Sequence, residues 1–417
     1  MVRRIGFLGG LAALLALAAA ARPDGPIEVK ARHGKSLRGT VEGYPFLLLR
    51  GTHRERGVDQ GFLAARDILK VLDEAFLPTL QKQLPVWEKM FVARVDLFQW
   101  PARFEEELAG LLEGIREALP NAEDRTLKTL GREITLKDLK AVNALPDLFG
   151  QACSSFSAWG DLTPDGQIVT GRNLDYFGFP ISPYQSLVAV EPAEKEFKPT
   201  VDFLVFGFIC AGTALNSDGV FAAMHDEKGL RGDRKEGWAP RALTLRAAIE
   251  TASAKSAPDD FTAALKAGKV RVGNNIHLSF PVVKDGPTPC VFEWDNNEKG
   301  DGITVRRPDA AREPHALLCT NHYLERAVHE DYKDSLKRYD TLAEAVAKHR
   351  QAKTKIGADE ARAMLEGVAR SGKMVTHLSV VVWPAARRIS FAFSPGAGKA
   401  ATQGRWVTVE WAEIFKN

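Results

Sequence analysis

The sequence predicts a mixed α+β protein, because strand patterns stand on both sides of a helical stretch. An apolar run from Pro45 to Gly51 has the composition of a strand. Residues from about 62 to 150 then carry apolar side chains at helical spacing. After Tyr176 the chain changes to short runs rich in β-branched and aromatic residues. This order alone supports a mixed α+β fold and no finer class.

Composition sets the broad class of the protein. The 417 residues are 45% hydrophobic and 26% charged, which is typical of a globular chain with a sizeable core. A formal net charge of +3, spread along the chain, does not indicate nucleic-acid binding. The four cysteines form no C-x-x-C and the nine histidines no H-E-x-x-H, so neither a metal site nor a cofactor is predicted.

The first segment has the pattern of a secretory signal. Arg3 and Arg4 precede an apolar run that ends in Ala19-Ala20-Ala21, a small-residue cleavage site. A membrane anchor is the alternative, but the run is short for a bilayer span. We therefore expect residues 1–21 to be removed and the protein to be secreted or periplasmic, without a stable membrane anchor.

The predicted helical stretch follows the first strand. Glycines between Gly51 and Gly61 indicate a turn and a close contact along the first helix. The later helices are predicted at Leu69–Phe76, Phe104–Leu119 and Leu136–Leu148.

A hairpin is predicted between Gln151 and Tyr176. Ser154–Trp159 is a strand, Thr163–Gly166 is a turn containing Pro-Asp-Gly, and a second strand starts at Gln167. Antiparallel pairing then brings Arg172 and Asp175 beside Cys153. A guanidinium favours a thiolate and a carboxylate can orient a nearby amine, so the group suits nucleophilic catalysis. The alternative is a buried structural cysteine in an ordinary hairpin.

The remainder of the chain predicts further strands and two helical regions. The predicted strands are Ser186–Val190, Val201–Ile209, Val220–Ala223, Ile276–Val283, Pro289–Trp294, Gly302–Arg306, Thr376–Trp383, Arg388–Phe393 and Arg405–Trp411. The predicted helices are Trp238–Ala254, Asp259–Lys266 and one that begins near Asp334.

The stretch from Cys153 to Asp175 resembles the N-terminal-nucleophile (Ntn) hydrolases of the acyl-CoA:6-aminopenicillanic acid acyltransferase type, peptidase family C45. Bile salt hydrolases, penicillin V acylases and acid ceramidases are more distant relatives. The resemblance implies that a precursor cuts itself between Ala152 and Cys153. The new α-amine, with a pKa of about 7.7–8.0, then serves as the base for the thiol. Arg172 is also a candidate for binding a substrate carboxylate.

Other motifs extend this resemblance. Thr320-Asn321 is similar to the segment whose asparagine lies in the oxyanion hole, although Asn321 also fits an ordinary turn. Ser335 to Arg338 is similar to the element that brings a second arginine to the site, although Arg338 also fits a surface ion pair with Asp334. A further oxyanion asparagine of bile salt hydrolases corresponds to His225-Asp226 here, and Asn275 is a rival donor.

The resemblance implies a four-layer αββα sandwich. Residues 22–152 would form a mostly helical pro-segment that stays bound as a subunit, and residues 153–417 the catalytic domain. The implied function is an exported, self-processing cysteine hydrolase or acyltransferase acting on linear amides, without a cofactor. A lipid amidase or phospholipase B-like acyl hydrolase on the same fold is one alternative. A catalytically inactive exported binding protein is another. The chain has no G-x-S-x-G motif of a serine hydrolase.

Overall fold

The computed structural model describes residues 26–81, 87–148, 152–231, 237–283, 286, 288–295, 302–308, 314–326 and 332–416. The predicted signal segment 1–21 lies outside the described residues.

Groups of strands and groups of helices follow one another along the chain. The strands are β1 (Ile27–His33), β2 (Ser36–Val41), β3 (Tyr44–Gly51), β4 (Thr126–Leu127), β5 (Arg132–Glu133), β6 (Ala152–Ala158), β7 (Val169–Phe177), β8 (Gln185–Pro192), β9 (Thr200–Val205), β10 (Thr213–Asn216), β11 (Phe221–Arg231), β12 (Val272–Ser279), β13 (Cys290–Trp294), β14 (Ile303–Arg306), β15 (Ala316–Cys319), β16 (Met374–Trp383), β17 (Arg388–Phe393) and β18 (Val407–Glu410). The α-helices are α1 (His53–Lys70), α2 (Leu77–Gln81), α3 (Ala102–Ala118), α4 (Leu136–Asn143), α5 (Leu145–Leu148), α6 (Arg241–Thr251), α7 (Ala257–Lys266), α8 (Lys333–Ala352), α9 (Ala358–Gly367) and α10 (Trp411–Phe415).

Two large sheets organise the described residues. One has the strand order β1-β2-β3-β8-β9-β10-β11-β12-β13-β14, and the other has β15-β6-β7-β16-β17-β18. Neighbouring strands are antiparallel except for β3 and β8, which run parallel. The segment that precedes Cys153 therefore contributes three strands to the larger sheet as well as its helices.

Three apolar clusters define how the layers pack. Side chains of both sheets, among them Phe46, Leu187, Leu378 and Phe391, share one cluster, so the sheets lie face to face. A second cluster joins the larger sheet to α1, α3, α6 and α7. A third joins the smaller sheet to α8 and α9. The fold is mixed α/β, with helices packed against the sheets.

Glycines allow α1 and α3 to pack backbone against backbone. A Cβ added at Gly57 would lie 2.0 Å from the Glu107 carbonyl oxygen, and one at Gly114 would lie 2.0 Å from that of Val58. No larger residue fits at such distances without moving a helix. The close helix contact predicted from the early glycines is therefore confirmed.

A buried ion cluster joins α1, α3 and α6. Glu107 accepts two hydrogen bonds of 2.9 Å from Arg246, and the His53 Nδ1 lies 2.6 Å from its carboxylate. Arg246 also contacts Glu250 at 2.8 Å, and Glu250 pairs with Arg103 at 3.2 Å. Burial opposes ionisation of Glu107, but Arg246 and His53 outweigh it and hold its pKa at about 2.

No helix in the described part of the chain is both long and apolar enough to cross a bilayer.

Candidate active site

The predicted hairpin is confirmed in the smaller sheet. β6 and β7 pair antiparallel, with Cys153 opposite Leu174 and Ala152 opposite Asp175. Because side chains alternate along a strand, Cys153 and Ser155 point to the same face as Leu174 and Arg172. That face is directed toward the larger sheet, where Arg172 reaches the Met224 carbonyl of β11.

The Cys153 sulfur lies against a buried arginine. Arg172 Nη2 donates to the sulfur at 3.4 Å and to the Met224 carbonyl at 2.9 Å, and both side chains of the pair are fully buried. Burial raises the pKa of the Cys153 thiol to about 11; Arg172 lowers it, while Asp175 and Asp226 raise it further. Arg172 thus favours the thiolate, but in the unbroken chain the effect of burial on the pKa of Cys153 is larger than that of the arginine.

The backbone of Cys153 is held on both sides. Its N–H donates to Asn321 Oδ1 at 2.8 Å, and its carbonyl accepts from Arg338 Nη1. Arg338 also donates to Asn321 Oδ1 at 2.8 Å and to Ser154 Oγ at 2.7 Å. The structure therefore brings together three side chains that the sequence motifs singled out, Arg172, Asn321 and Arg338, around one cysteine.

Hydrogen bonds fix the orientation of the Asn321 side-chain amide. Its Nδ2 donates to the Asp226 carbonyl at 2.7 Å, and its backbone N–H donates to Ser335 Oγ at 2.7 Å. The Cys153 N–H requires an acceptor, so the oxygen of the Asn321 amide must face the nucleophile. In the unbroken chain Asn321 thus acts toward the Cys153 nitrogen as an acceptor.

Asp175 lies beside the predicted cleavage bond and is held by two residues that the sequence analysis missed. Its carboxylate accepts from Thr376 Oγ1 at 2.6 Å and lies 3.3 Å from Arg370 Nε. Burial raises the Asp175 pKa, and Arg338, Thr376 and Arg370 oppose that shift. No local signal marks Thr376 or Arg370, because β7 meets β16 only through the sheet, with Thr376 opposite Asp175.

Two other predicted residues have supporting contacts. His225 Nε2 lies 2.8 Å from Ser155 Oγ, its Nδ1 lies 3.1 Å from the Ala223 carbonyl, and burial moves its pKa well below the usual value. Asn275 donates from Nδ2 to the Thr320 and His322 carbonyls at 3.1 and 2.8 Å. Both N–H groups of Asn275 are thereby occupied, so it holds the Asn321 loop and does not match the predicted oxyanion donor. The neutral His225 supports β6, the strand that carries Cys153, through its contact with Ser155.

Asp226 joins the site to the preceding segment. Its carboxylate lies 2.8 Å from Arg241 Nη2, a buried guanidinium that also donates to the Pro146 carbonyl. Asp147, on the same short helix, lies 3.8 Å from Arg241 Nε. Asp226 therefore contacts Asn321 through its backbone, and its carboxylate anchors the helix that precedes the predicted cut.

An apolar pocket lies next to the cross-strand partner of the cysteine. Leu174 lines this pocket and is the cross-strand partner of Cys153, while Met224 lines it and receives the hydrogen bond of Arg172. Phe76 and Leu145, from the segment before the predicted cut, form part of the wall. A pocket with this apolar lining suits an apolar organic group. Among the described residues, no group of three or more His, Cys, Asp or Glu is arranged to hold a metal ion.

Comparison with known proteins finds similarity among solved structures. No family profile and no curated protein matches the sequence. An acid amidase from Caenorhabditis elegans that hydrolyses N-acylethanolamines has a TM-score of 0.41 and 16% identity over 62% of this chain and 99% of its own. A mutant conjugated bile acid hydrolase from Clostridium perfringens has a TM-score of 0.43 and 12% identity over 63% of this chain and 93% of its own.

Penicillin V acylase from Agrobacterium tumefaciens has a TM-score of 0.40 and 11% identity over 63% of this chain and 88% of its own.

Proposed function

We propose that this chain is an amidohydrolase that cuts itself before Cys153 and then uses the Cys153 thiol as its nucleophile. One observation carries the proposal. Three different side chains, Arg172, Asn321 and Arg338, converge on the sulfur, the N–H and the carbonyl of a single buried cysteine. A structural cysteine needs none of these contacts, since a buried thiol packs as a small apolar group.

The cut before Cys153 gives the thiol a base that the unbroken chain lacks. With a pKa of about 11, the thiol of the unbroken chain carries little thiolate near neutral pH, so the single cut can be slow. Attack of the sulfur on the Ala152 carbonyl would form a thioester as the peptide C–N bond breaks, and the thiol proton would pass to the departing nitrogen of Cys153. Water would then hydrolyse the thioester, leaving a carboxylate on Ala152 and a free amine on Cys153. The Ala152–Cys153 bond is restrained for this step, because Asn321 and Arg338 hold the groups that follow it.

The freed amine supplies the base for turnover. An α-amine with a pKa of about 7.7–8.0 accepts the thiol proton near neutral pH. Asn321 Oδ1 already receives the Cys153 N–H, so it would orient the amine. The thiolate attacks the substrate carbonyl, the C–N bond breaks, and the amine product leaves with a proton. Water or an acceptor amine then releases the acyl group from the sulfur.

The pocket argues for an apolar acyl group on the substrate. The pocket wall includes Leu174, the cross-strand partner of Cys153, so the proposal puts the acyl chain in the pocket with its carbonyl directed toward the sulfur. A lipid amidase or acyl hydrolase on the same fold remains the second candidate, and the apolar pocket supports a lipid-like chain equally well.

The proposed enzyme has the four-layer αββα arrangement. The layers are, in order, the helices α1, α3, α6 and α7, the larger sheet, the smaller sheet, and the helices α8 and α9. We further propose that the segment before Cys153 stays bound after the cut. The parallel pairing of β3 with β8, the buried Glu107–Arg246 contact and the shared pocket wall all cross the cut. Residues 1–21 would direct export to the periplasm or the outside of the cell.

The test is the mass and N-terminal sequence of the purified wild-type protein, with turnover of an apolar N-acyl amide. We expect two polypeptides that elute together, the second starting at Cys153, and release of the amine. An unbroken chain that neither hydrolyses amides nor reacts at Cys153 with a thiol reagent would instead favour the inactive binding protein.

Replacing Asn321 with alanine should lower kcat by about 10²–10³-fold, because the amine that serves as the base loses the acceptor that orients it, and Arg338 loses the same acceptor. Asn143→Ala is the matched control. Asn143 is also buried, but its amide donates to the Leu139 and Gly207 carbonyls and not to the groups around Cys153. Steady-state kinetics on folded protein should show the loss for Asn321 alone. Equal losses in the two variants would show that the effect is one of folding.

A further inference from the structure

The apolar pocket beside Cys153 contains two polar atoms with no hydrogen-bond partner. Gln185 and Thr213 both line the pocket, and their side chains are buried, with 4% and 1% of their surface exposed. Neither Gln185 Oε1 nor Thr213 Oγ1 has a partner among the described residues. Buried polar groups are normally hydrogen-bonded, so two such atoms on the wall of one pocket point to a ligand group that bonds them.

The orientation of the Gln185 amide is determined by its backbone contact. Gln185 Nε2 donates to the His377 carbonyl at 2.9 Å. A carbonyl oxygen accepts and cannot donate, so the nitrogen of the amide must face His377. The oxygen Oε1 is therefore the unpaired atom, and it can only accept. A group that satisfies it must bring an N–H or an O–H.

The position of Gln185 relative to the nucleophile follows from the sheet. His377 lies in β16 between Thr376, the partner of Asp175, and Leu378, the partner of Leu174. Leu174 is in turn the partner of Cys153. Two strand spacings, about 10 Å, thus separate β6 from the strand that holds the Gln185 amide. A donor that reaches Oε1 would therefore lie roughly 10 Å along an acyl chain attached to the sulfur.

The charge of the pocket narrows the class of donor. Each described residue that lines the pocket has a neutral side chain, and most of these side chains are apolar. A cationic ammonium would be buried without a counter-ion, which is strongly unfavourable. A neutral hydroxyl can donate to Gln185 Oε1 and needs no counter-ion. The Thr213 hydroxyl can form a second hydrogen bond to the ligand, either as donor or as acceptor.

We propose that the acyl group taken by this site is apolar but carries a hydroxyl, recognised by Gln185 and Thr213. The inference rests on the proposed function and names its substrate class as hydroxylated apolar acyl amides. A site with a buried acceptor disfavours the analogue that lacks the hydroxyl, because the acceptor then stays unpaired.

The test compares kcat/KM for decanoyl p-nitroanilide with that for its derivatives hydroxylated singly at each carbon from 3 to 9, which are isomers of one another. We expect wild-type protein to prefer at least one isomer over the plain chain by about tenfold or more. Thr213→Val, which keeps the shape and removes the hydroxyl, should lower this ratio severalfold, and Thr213→Ser should retain it. Gln185→Met should lower the ratio further.

The measured quantity is the ratio of kcat/KM for the hydroxylated substrate to kcat/KM for the plain substrate. A variant that loses activity on both substrates equally leaves this ratio unchanged. Cleavage of the plain chain with no preference for any isomer would overturn the inference and leave the proposed function standing. The same preference in wild type and Thr213→Val and Gln185→Met would also overturn it. No cleavage of any substrate by a chain that also stays unbroken would defeat the proposed function itself.

Discussion

Replacing Cys153 with alanine is expected to leave the chain in one piece and to lower amide turnover by about a thousandfold or more. The substitution removes the atom that attacks the Ala152 carbonyl and the atom that attacks the substrate, so both reactions are lost together. Alanine preserves the β6–β7 pairing, since the backbone contacts to Asn321 and Arg338 do not involve the sulfur. Intact mass and steady-state kinetics on the folded variant measure the two effects.

Cys319→Ala is the matched control for this prediction. Cys319 is as buried as Cys153, lies on the neighbouring strand β15, and burial raises its pKa to about 12. Its thiol donates to the Thr320 carbonyl at 3.6 Å, and no arginine of the described residues is hydrogen-bonded to it. This variant should still be cut and should retain turnover within a few-fold. Loss of both activities in Cys319→Ala with retention in Cys153→Ala would assign the nucleophile elsewhere.

Replacing Glu107 with alanine should lower the free energy of unfolding by about 3–5 kcal/mol, because it leaves His53 buried without its carboxylate and Arg246 with Glu250 as its remaining partner. Denaturant unfolding in the Cys153→Ala background keeps the chain in one piece and makes the measurement unimolecular. Glu113→Ala is the control on the same helix. Glu113 is half exposed and pairs with the exposed Arg54, so its loss should cost at most about 1 kcal/mol.

The Glu107 effect should also depend on pH. The folded pKa of about 2 lies below the ordinary value of 4.5. Its contribution to stability is therefore fully present above about pH 4.5 and is lost as the pH falls toward 2. The difference in unfolding free energy between Glu107→Ala and its parent should shrink over that window. A difference that stays constant from pH 5 to pH 2.5 would show that packing, and not charge, dominates at Glu107.

The sequence by itself determined the local geometry of the site. The Pro-Asp-Gly turn and the two-residue period of strands were enough to place Arg172 on the same side of the hairpin as Cys153. The early glycines likewise predicted the close contact between the first helix and its neighbour. The motifs around Asn321 and Arg338 correctly named two residues that contact Cys153. These features follow from short-range patterns or from the similarity of short motifs. Both kinds of information can be read from one amino-acid sequence.

Only the tertiary structure decided the electrostatics of the site and what surrounds it. The high pKa of Cys153 arises from burial between two sheets, which no local pattern reports. Thr376 and Arg370 reach Asp175 because β16 pairs with β7 across about two hundred residues of sequence. The contact of Gln185 with the His377 carbonyl joins strands of the two different sheets and is also long-range. Strand order within a sheet depends on how whole layers pack, and that is why these contacts could not be predicted from the sequence.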